Sequence, residues 1–181
     1  MRASVSKEQY FEGAFEQLAE VGFTGLNINS MCKALGVTSG SFYHHFGSWQ
    51  GFVDAFLVYW EQRQEKILRE MSFGQTGAEE DLKSLRKLTL GLHHGAEAAI
   101  RAWAMNDDAV RAVQKRVDRA RRKTLSKSIE RLIGEKSTAK SIATAGAAML
   151  IGYQQMVASG EQASLEQILD ELNLLVRARL G

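Results

Sequence analysis

The chain has 181 residues, room for one large or two small domains, and 45% of them are hydrophobic, enough for a proper core. It contains no proline and 16 glycines, which fits a mostly helical chain punctuated by glycine. A lone cysteine excludes an internal disulfide. The most apolar stretch, residues 142–153, is too short to span a bilayer, and no N-terminal apolar run resembles a signal peptide, so a cytoplasmic protein with no membrane partner is expected.

Residues 1–5 read as a short arm in which Arg2 could reach a phosphate, although a frayed terminus explains it equally. Ser6 is a fair N-cap for a first helix with Tyr10, Phe11, Ala14, Phe15, Leu18 and Ala19 at core spacing, ended by Gly22. Along this helix Glu8, Glu12, Glu16 and Glu20 recur every four residues and predict an acidic stripe. Residues 1–50 hold three basic residues, Arg2, Lys7 and Lys33, against those four glutamates, so charge alone would not suggest nucleic acid. Any DNA-binding surface must face away from the stripe.

Residues 27–47, NINSMCKALGVTSGSFYHHFG, predict two short helices joined by a tight turn. Asn27 and Thr38 are good N-caps, and Gly36 stands where a left-handed residue must end the first helix and reverse the chain. Met31, Leu35, Val37 and Phe42 fall where crossed helices touch, with Cys32 as a small packing residue between them. On the second helix Phe42 and Phe46 face inward, while Gly40, Ser41 and His44 point outward with Tyr43 at the flank. A face that is small at its N-terminal end and polar beyond suits a helix entering the major groove N-terminus first. A plain helical hairpin shares the glycine and the inward residues.

The run GVTSGSFYHHFGSWQGFVDAF resembles the helix-turn-helix signature of the TetR (tetracycline-repressor-like) family of bacterial regulators, and the likeness extends over about residues 5–56. The resemblance implies an all-α fold of about nine helices. A three-helix DNA-binding domain with the helix-turn-helix would occupy residues 1–47, and a helical ligand-binding and dimerisation domain residues 48–181. It places Asn27 and Asn29 at the start of the second helix, and Thr38, Ser39, Gly40, Ser41, Tyr43 and His44 on DNA-facing positions. Two positions depart from the family pattern: Ser39 stands where many relatives carry Lys or Arg, and Trp49 where Lys often follows the serine.

Ser48 opens a fourth helix, with Trp49, Phe52, Val53, Phe56, Leu57 and Trp60 on one face and a more polar tail to residue 71. Residues 72–77, SFGQTG, are the best linker candidate. Leu82, Leu85, Leu88 and Leu92 predict a fifth helix, and residues 96–105 a sixth. His93 and His94 are adjacent, point in different directions on a helix and have no ligand spacing around them, so no metal and no cofactor is expected. A histidine facing the interior to bind a small molecule or a carbonyl fits better. Val110, Val113, Val117, Ala120, Leu125, Ile129 and Leu132 form the seam of a seventh helix, interrupted by the basic run KRVDRARRK at 115–123, which reads as a solvated helix face or as an acidic-partner or nucleic-acid patch.

An eighth helix over about 138–158 is apolar nearly all round and must be covered on all sides. A ninth, over 164–180, carries a leucine-rich stripe behind a Ser164 and Gln167 capping box. These two are expected to pair with their copies in a two-fold four-helix interface through Met149, Tyr153, Leu165, Ile168, Leu172, Leu175 and Val176. The family's pocket lies among the fifth, sixth and eighth helices, which nominates His93, Trp103, Met105, Met149 and Tyr153 as ligand contacts, with core packing as the plainer role. The expected protein is a homodimeric regulator, a repressor that binds double-stranded DNA at a palindromic operator and is released by a small-molecule effector. The alternative is a helical adaptor that retains the fold without specific DNA binding. An enzyme is not expected, because paired Glu-x-x-His motifs, a phosphate loop and a nucleophile with its base are all missing from the sequence.

Overall fold

The computed structural model describes residues 5–70, 74–75 and 77–180. Arg2 of the expected arm and half of the 72–77 linker, residues 72, 73 and 76, lie outside these, as does residue 71, to which the expected fourth helix runs. Among the described residues there are nine α-helices and no strand: α1 (Lys7–Gly25), α2 (Ile28–Leu35), α3 (Ser39–Phe46), α4 (Trp49–Glu70), α5 (Ala78–Leu90), α6 (His94–Trp103), α7 (Asp108–Ile133), α8 (Lys136–Ala158) and α9 (Leu165–Arg177). The all-α class and the helix count agree with the sequence reading. No helix among them is long and apolar enough to cross a membrane.

The chain forms two compact units, each made of two segments. The first is Met1–Gln62 with His93–Gln114, and the second is Arg63–Leu92 with Lys115–Gly181. The cause is α6, which packs on α1. Ala96, Ala98, Ala99 and Ile100 are buried, and a Cβ on Gly95 would stand 3.2 Å from that of Ala19, so glycine is what allows the close approach.

Within the first unit, α1 starts at a full capping box, Ser6 with Gln9, and buries Tyr10, Phe11, Ala14, Phe15 and Leu18. Gly22, at φ 69°, breaks the regular helix three residues before its end. The buried face meets aromatic side chains from α3 and the first half of α4. Phe11 stacks on Tyr59 at 4.7 Å, Phe15 lies 4.9 Å from Phe56 and Phe46 meets Phe52 edge-on at 5.1 Å. Each such ring removed from water stabilises the fold by about 2–3 kcal/mol before ordering costs. The turn after α6 is held by Arg111, which donates to the carbonyls of Ala104 (2.8 Å) and Met105 (3.1 Å) and pairs with Asp108.

The second unit is built on Ile129, Ala139, Ile142, Ala143 and Val176, with Leu82, Leu125, Leu132, Ile133 and Leu172 packed around them. One face of α8 supplies the small residues. A Cβ on Gly146 would come within 2.8 Å of Leu172 and 3.3 Å of Leu125, so glycine is what lets α9 and α7 close on α8. Asp81 is fully buried and is neutralised by Arg131, while its Oδ2 accepts the Gly74 N–H at 3.2 Å. Arg86 ties α5 to α9 through Asp170 at 2.9 Å.

On the side of α8 away from this core, Ser141, Thr144, Ala148, Gly152 and Gln155 are exposed, as they are before any pairing with a second copy. One expectation about the C-terminal helices changes. The stripe on α9 divides between the chain's own core and solvent. Leu165 and Val176 are 6% and 2% exposed, with Leu172 beside them in the chain's own core, whereas Leu174 and Leu175 are 58% and 43% exposed.

Candidate nucleic-acid interface

The turn between α2 and α3 is built from local chemistry. The Asn27 Oδ1 accepts the Ser30 N–H at 3.0 Å and its Nδ2 donates to the Gly25 carbonyl, while the Ser30 hydroxyl closes the capping box. At the other end Gly36 adopts φ 65°, ψ 30°, and the Val37 N–H reaches back to the Cys32 carbonyl at 3.0 Å, a Schellman closure. Met31 and Cys32 are buried beneath it, and burial pushes the Cys32 thiol pKa up, away from reactivity. The Ser30 hydroxyl also bonds Gln17 at 2.7 Å, which fixes α2 on α1.

Thr38 caps α3, its Oγ1 accepting the Ser41 N–H at 3.4 Å, and Gly47 at φ 73° closes the helix by donating to the Tyr43 carbonyl at 2.8 Å. Phe42 is fully buried against Tyr10 and Phe52, so the opposite side of the helix is turned to solvent. That side holds Thr38, Ser39, Gly40, Tyr43 and His44, all exposed, with Tyr43 at 51%. A Cβ on Gly40 would meet only the Thr38 Oγ1 at 3.6 Å, an ordinary contact. Packing therefore does not require glycine at position 40, and the open backbone there is free for a close external approach.

Two of the expected DNA-facing residues have other duties. Ser41 is half-buried rather than outward, because its Oγ accepts a hydrogen bond from the buried Tyr10 hydroxyl at 3.1 Å. Both ends of the Asn27 amide are engaged in capping, so of the two exposed asparagines at the start of α2 Asn29 is the one without a capping role. Tyr10 is the residue that sequence reasoning counted only as core. Its ring packs edge-on to Phe42, His45 and Phe46 while its hydroxyl sets the rotation of α3. The available signal was chemical: a buried tyrosine needs a partner for its hydroxyl.

The helix-turn-helix sits in an acidic unit. The first unit carries 5 basic and 9 acidic residues, the second 18 and 12. Contact with phosphates must then come from hydroxyls, amides and helix N-termini more than from a basic field.

The five residues nominated as ligand contacts divide between the units. His93 and Met105 are exposed, the latter at 75%, and His93 stacks on Phe15 at 6.0 Å. Trp103 is buried and stacks on Phe23 at 6.5 Å. These three belong to the first unit. Met149 and Tyr153 are half-buried in the second. Among the described residues no three or more His, Cys, Asp or Glu side chains gather as a metal site.

Residues 11–56 match the family model described as bacterial regulatory proteins, tetR family. No curated protein matches the chain. Solved structures similar over nearly the whole length include a TetR transcriptional regulator from Legionella pneumophila, 14% identical, with a TM-score of 0.77 and 100% of both chains covered. Another is a TetR transcription regulator from Haloarcula marismortui, 18% identical, with a TM-score of 0.76, covering 97% of this chain and 98% of the other. A third, from Saccharomonospora viridis and assigned as a transcriptional regulator, is in complex with choline. It is 18% identical, with a TM-score of 0.75 and coverage of 94% and 95%.

Proposed function

We propose that the chain, whose helix-turn-helix segment matches the TetR family of bacterial regulatory proteins over residues 11–56, is a transcriptional regulator of that type and not an enzyme, a homodimeric repressor of a palindromic operator. The observation that carries this reading is the exposed face of α3, where Thr38, Ser39, Tyr43 and His44 surround a glycine that the fold itself does not need. Small residues lead and longer polar ones follow, which suits base-edge and phosphate contacts from a helix in the major groove. Asn29 at the start of α2 contributes a backbone contact.

Two copies are joined through the side of α8 that the chain leaves open and the outer face of α9, with Met149, Tyr153, Met156, Ile168, Leu174 and Leu175 at the contact. Thr144, Ala148 and Gly152 on that side allow close helix approach. Two heads held about one DNA turn apart, roughly 34–36 Å, or somewhat more, read a palindrome. A small molecule bound by the regulatory region releases DNA by favouring a head separation that does not match the site, to the extent of its differential affinity for the two arrangements. Choline is the first compound to test, since a structural neighbour holds it. A repressor of this kind acts where the chromosome is, in the cytoplasm.

Selection from a random duplex pool, followed by sedimentation of the free protein, tests the proposal. Recovery of an inverted repeat whose affinity falls on His44→Ala and Tyr43→Ala, with a free protein of twice the chain mass, is the expected result. No enrichment at low salt, or a monomer that shows none, overturns it and leaves the adaptor reading.

A further inference from the structure

The basic run on α7 remains outside the proposed function. On the helix, Lys115, Arg119, Lys123 and Lys127 recur every four residues, with Arg122 alongside, and all five side chains are exposed. Arg121, from the same run, is turned elsewhere and donates to the Gln64 Oε1 at 2.6 Å. The exposed row has a counterpart in the same chain. On α1, Glu8, Glu12, Glu16 and Glu20 recur with the same period. Glu8, Glu16 and Glu20 are exposed, and Glu12 accepts a hydrogen bond from the Tyr59 hydroxyl at 2.7 Å.

The two rows are opposite in sign and match in period and length. Each spans twelve residue steps, about 18 Å of helix at 1.5 Å per residue. A four-residue repeat drifts around a helix by the same angle per step in both, so the rows are equally inclined to their axes and lie along one another when the helices cross as ridges of this type do, at about −50°. Seven of the eight side chains of the two rows are exposed, and Glu12 is half-buried. The units that carry them are oppositely charged overall, with an excess of four acidic residues in the first and six basic residues in the second.

We propose that the basic face of α7 docks the acidic face of α1 on a second copy of this chain, a contact separate from the α8 and α9 pairing. Nucleic acid is the less favoured occupant, because every copy of the chain brings an acidic row of matching spacing. The contact joins two different patches, so it does not close on itself and links copies into short, reversible chains. Exposed ion pairs are individually weak and screened by salt, so the association depends on concentration and ionic strength.

Sedimentation velocity of the full chain without DNA tests this. At about 50 mM NaCl the weight-average mass is expected to rise with concentration to at least about twice its value at 500 mM. The decisive measurement is a charge swap. E16K/E20K leaves the α1 row with two acidic and two basic side chains and R119E/K123E breaks up the α7 row in the same way, so neither variant self-associates, while their mixture brings the unaltered α7 row of one to the unaltered α1 row of the other and regains the larger species. K115E/K127E mixed with E8K/E20K repeats the swap should the first pair fail to fold. A mass independent of salt, or a mixture no larger than its components, overturns the proposal. So does a loss of random-duplex binding in R119E/K123E with sedimentation unchanged, which assigns the face to nucleic acid. The high-salt mass reports the α8 and α9 pairing separately, so failure of one contact is distinguishable from failure of the other.

Discussion

Gly40→Ala separates what the fold requires from what the proposed interface requires. The added methyl meets only the Thr38 Oγ1, at 3.6 Å, and the backbone is already helical, so nothing must move. Alanine gains up to about 1 kcal/mol over glycine in a helix interior, and about half of that near a first turn such as this one. For a chain of this size, about 0.5 kcal/mol raises Tm by about 1–2 °C. On DNA the same methyl stands where the backbone makes its closest approach, and a loss of about tenfold in affinity, near 1.4 kcal/mol, is expected. Differential scanning fluorimetry and anisotropy titration on the selected operator read the two effects. A variant that melts at or above the parent temperature and binds normally refutes the placement of the α3 N-terminus against DNA. A variant that melts several degrees lower refutes the packing argument.

Tyr10→Phe removes one hydroxyl and leaves the aromatic packing intact; the lost bond to Ser41 costs about 0.5–1.5 kcal/mol in stability, and operator affinity falls while circular dichroism is unchanged. Gly146→Ala inserts a methyl 2.8 Å from Leu172, and a destabilisation of about 1–3 kcal/mol by urea melting is expected, smaller if Leu172 can rotate away. Glu135 caps α8 by accepting the Ser137 and Thr138 N–H groups, which lowers its pKa from 4.5 to about 2. A depressed carboxylate stabilises the fold above its unfolded pKa and loses that contribution as pH falls toward the folded value. Melting temperature should therefore fall between pH 4.5 and 2, and less steeply in Glu135→Gln. Leu174→Glu with Leu175→Glu places two charges on the exposed side of α9 and should halve the sedimenting mass at high salt without unfolding α9 from its own core.

The helix-turn-helix was legible in sequence because its determinants are local. Ser6, Asn27, Gly36 and Thr38 act within four residues of themselves, and their capping bonds are all present. The orientation of Ser41 was not legible, because it depends on a tyrosine 31 positions away. The packing of α6 on α1 was not legible for the same reason: it joins segments that no local pattern relates. On α9 the leucine run was visible but its division was not, since a stripe with leucine at nearly every turn is compatible with burial on either side. Only the positions of α7 and α8 decide that Leu165, Leu172 and Val176 are spent inside.

The interleaving of the two units has a further consequence. The polypeptide leaves the first after residue 62, re-enters it at 93 and departs again at 114, each time in or beside a helix. Neither half can then be excised as a contiguous fragment. A gene truncated after the recognition segment would encode an α1 stripped of the alanine-rich helix that shields it, and chimaeras made by joining the front of one regulator to the back of another inherit mismatched surfaces at that seam. Evolution can retune such a protein residue by residue far more readily than it can trade its parts.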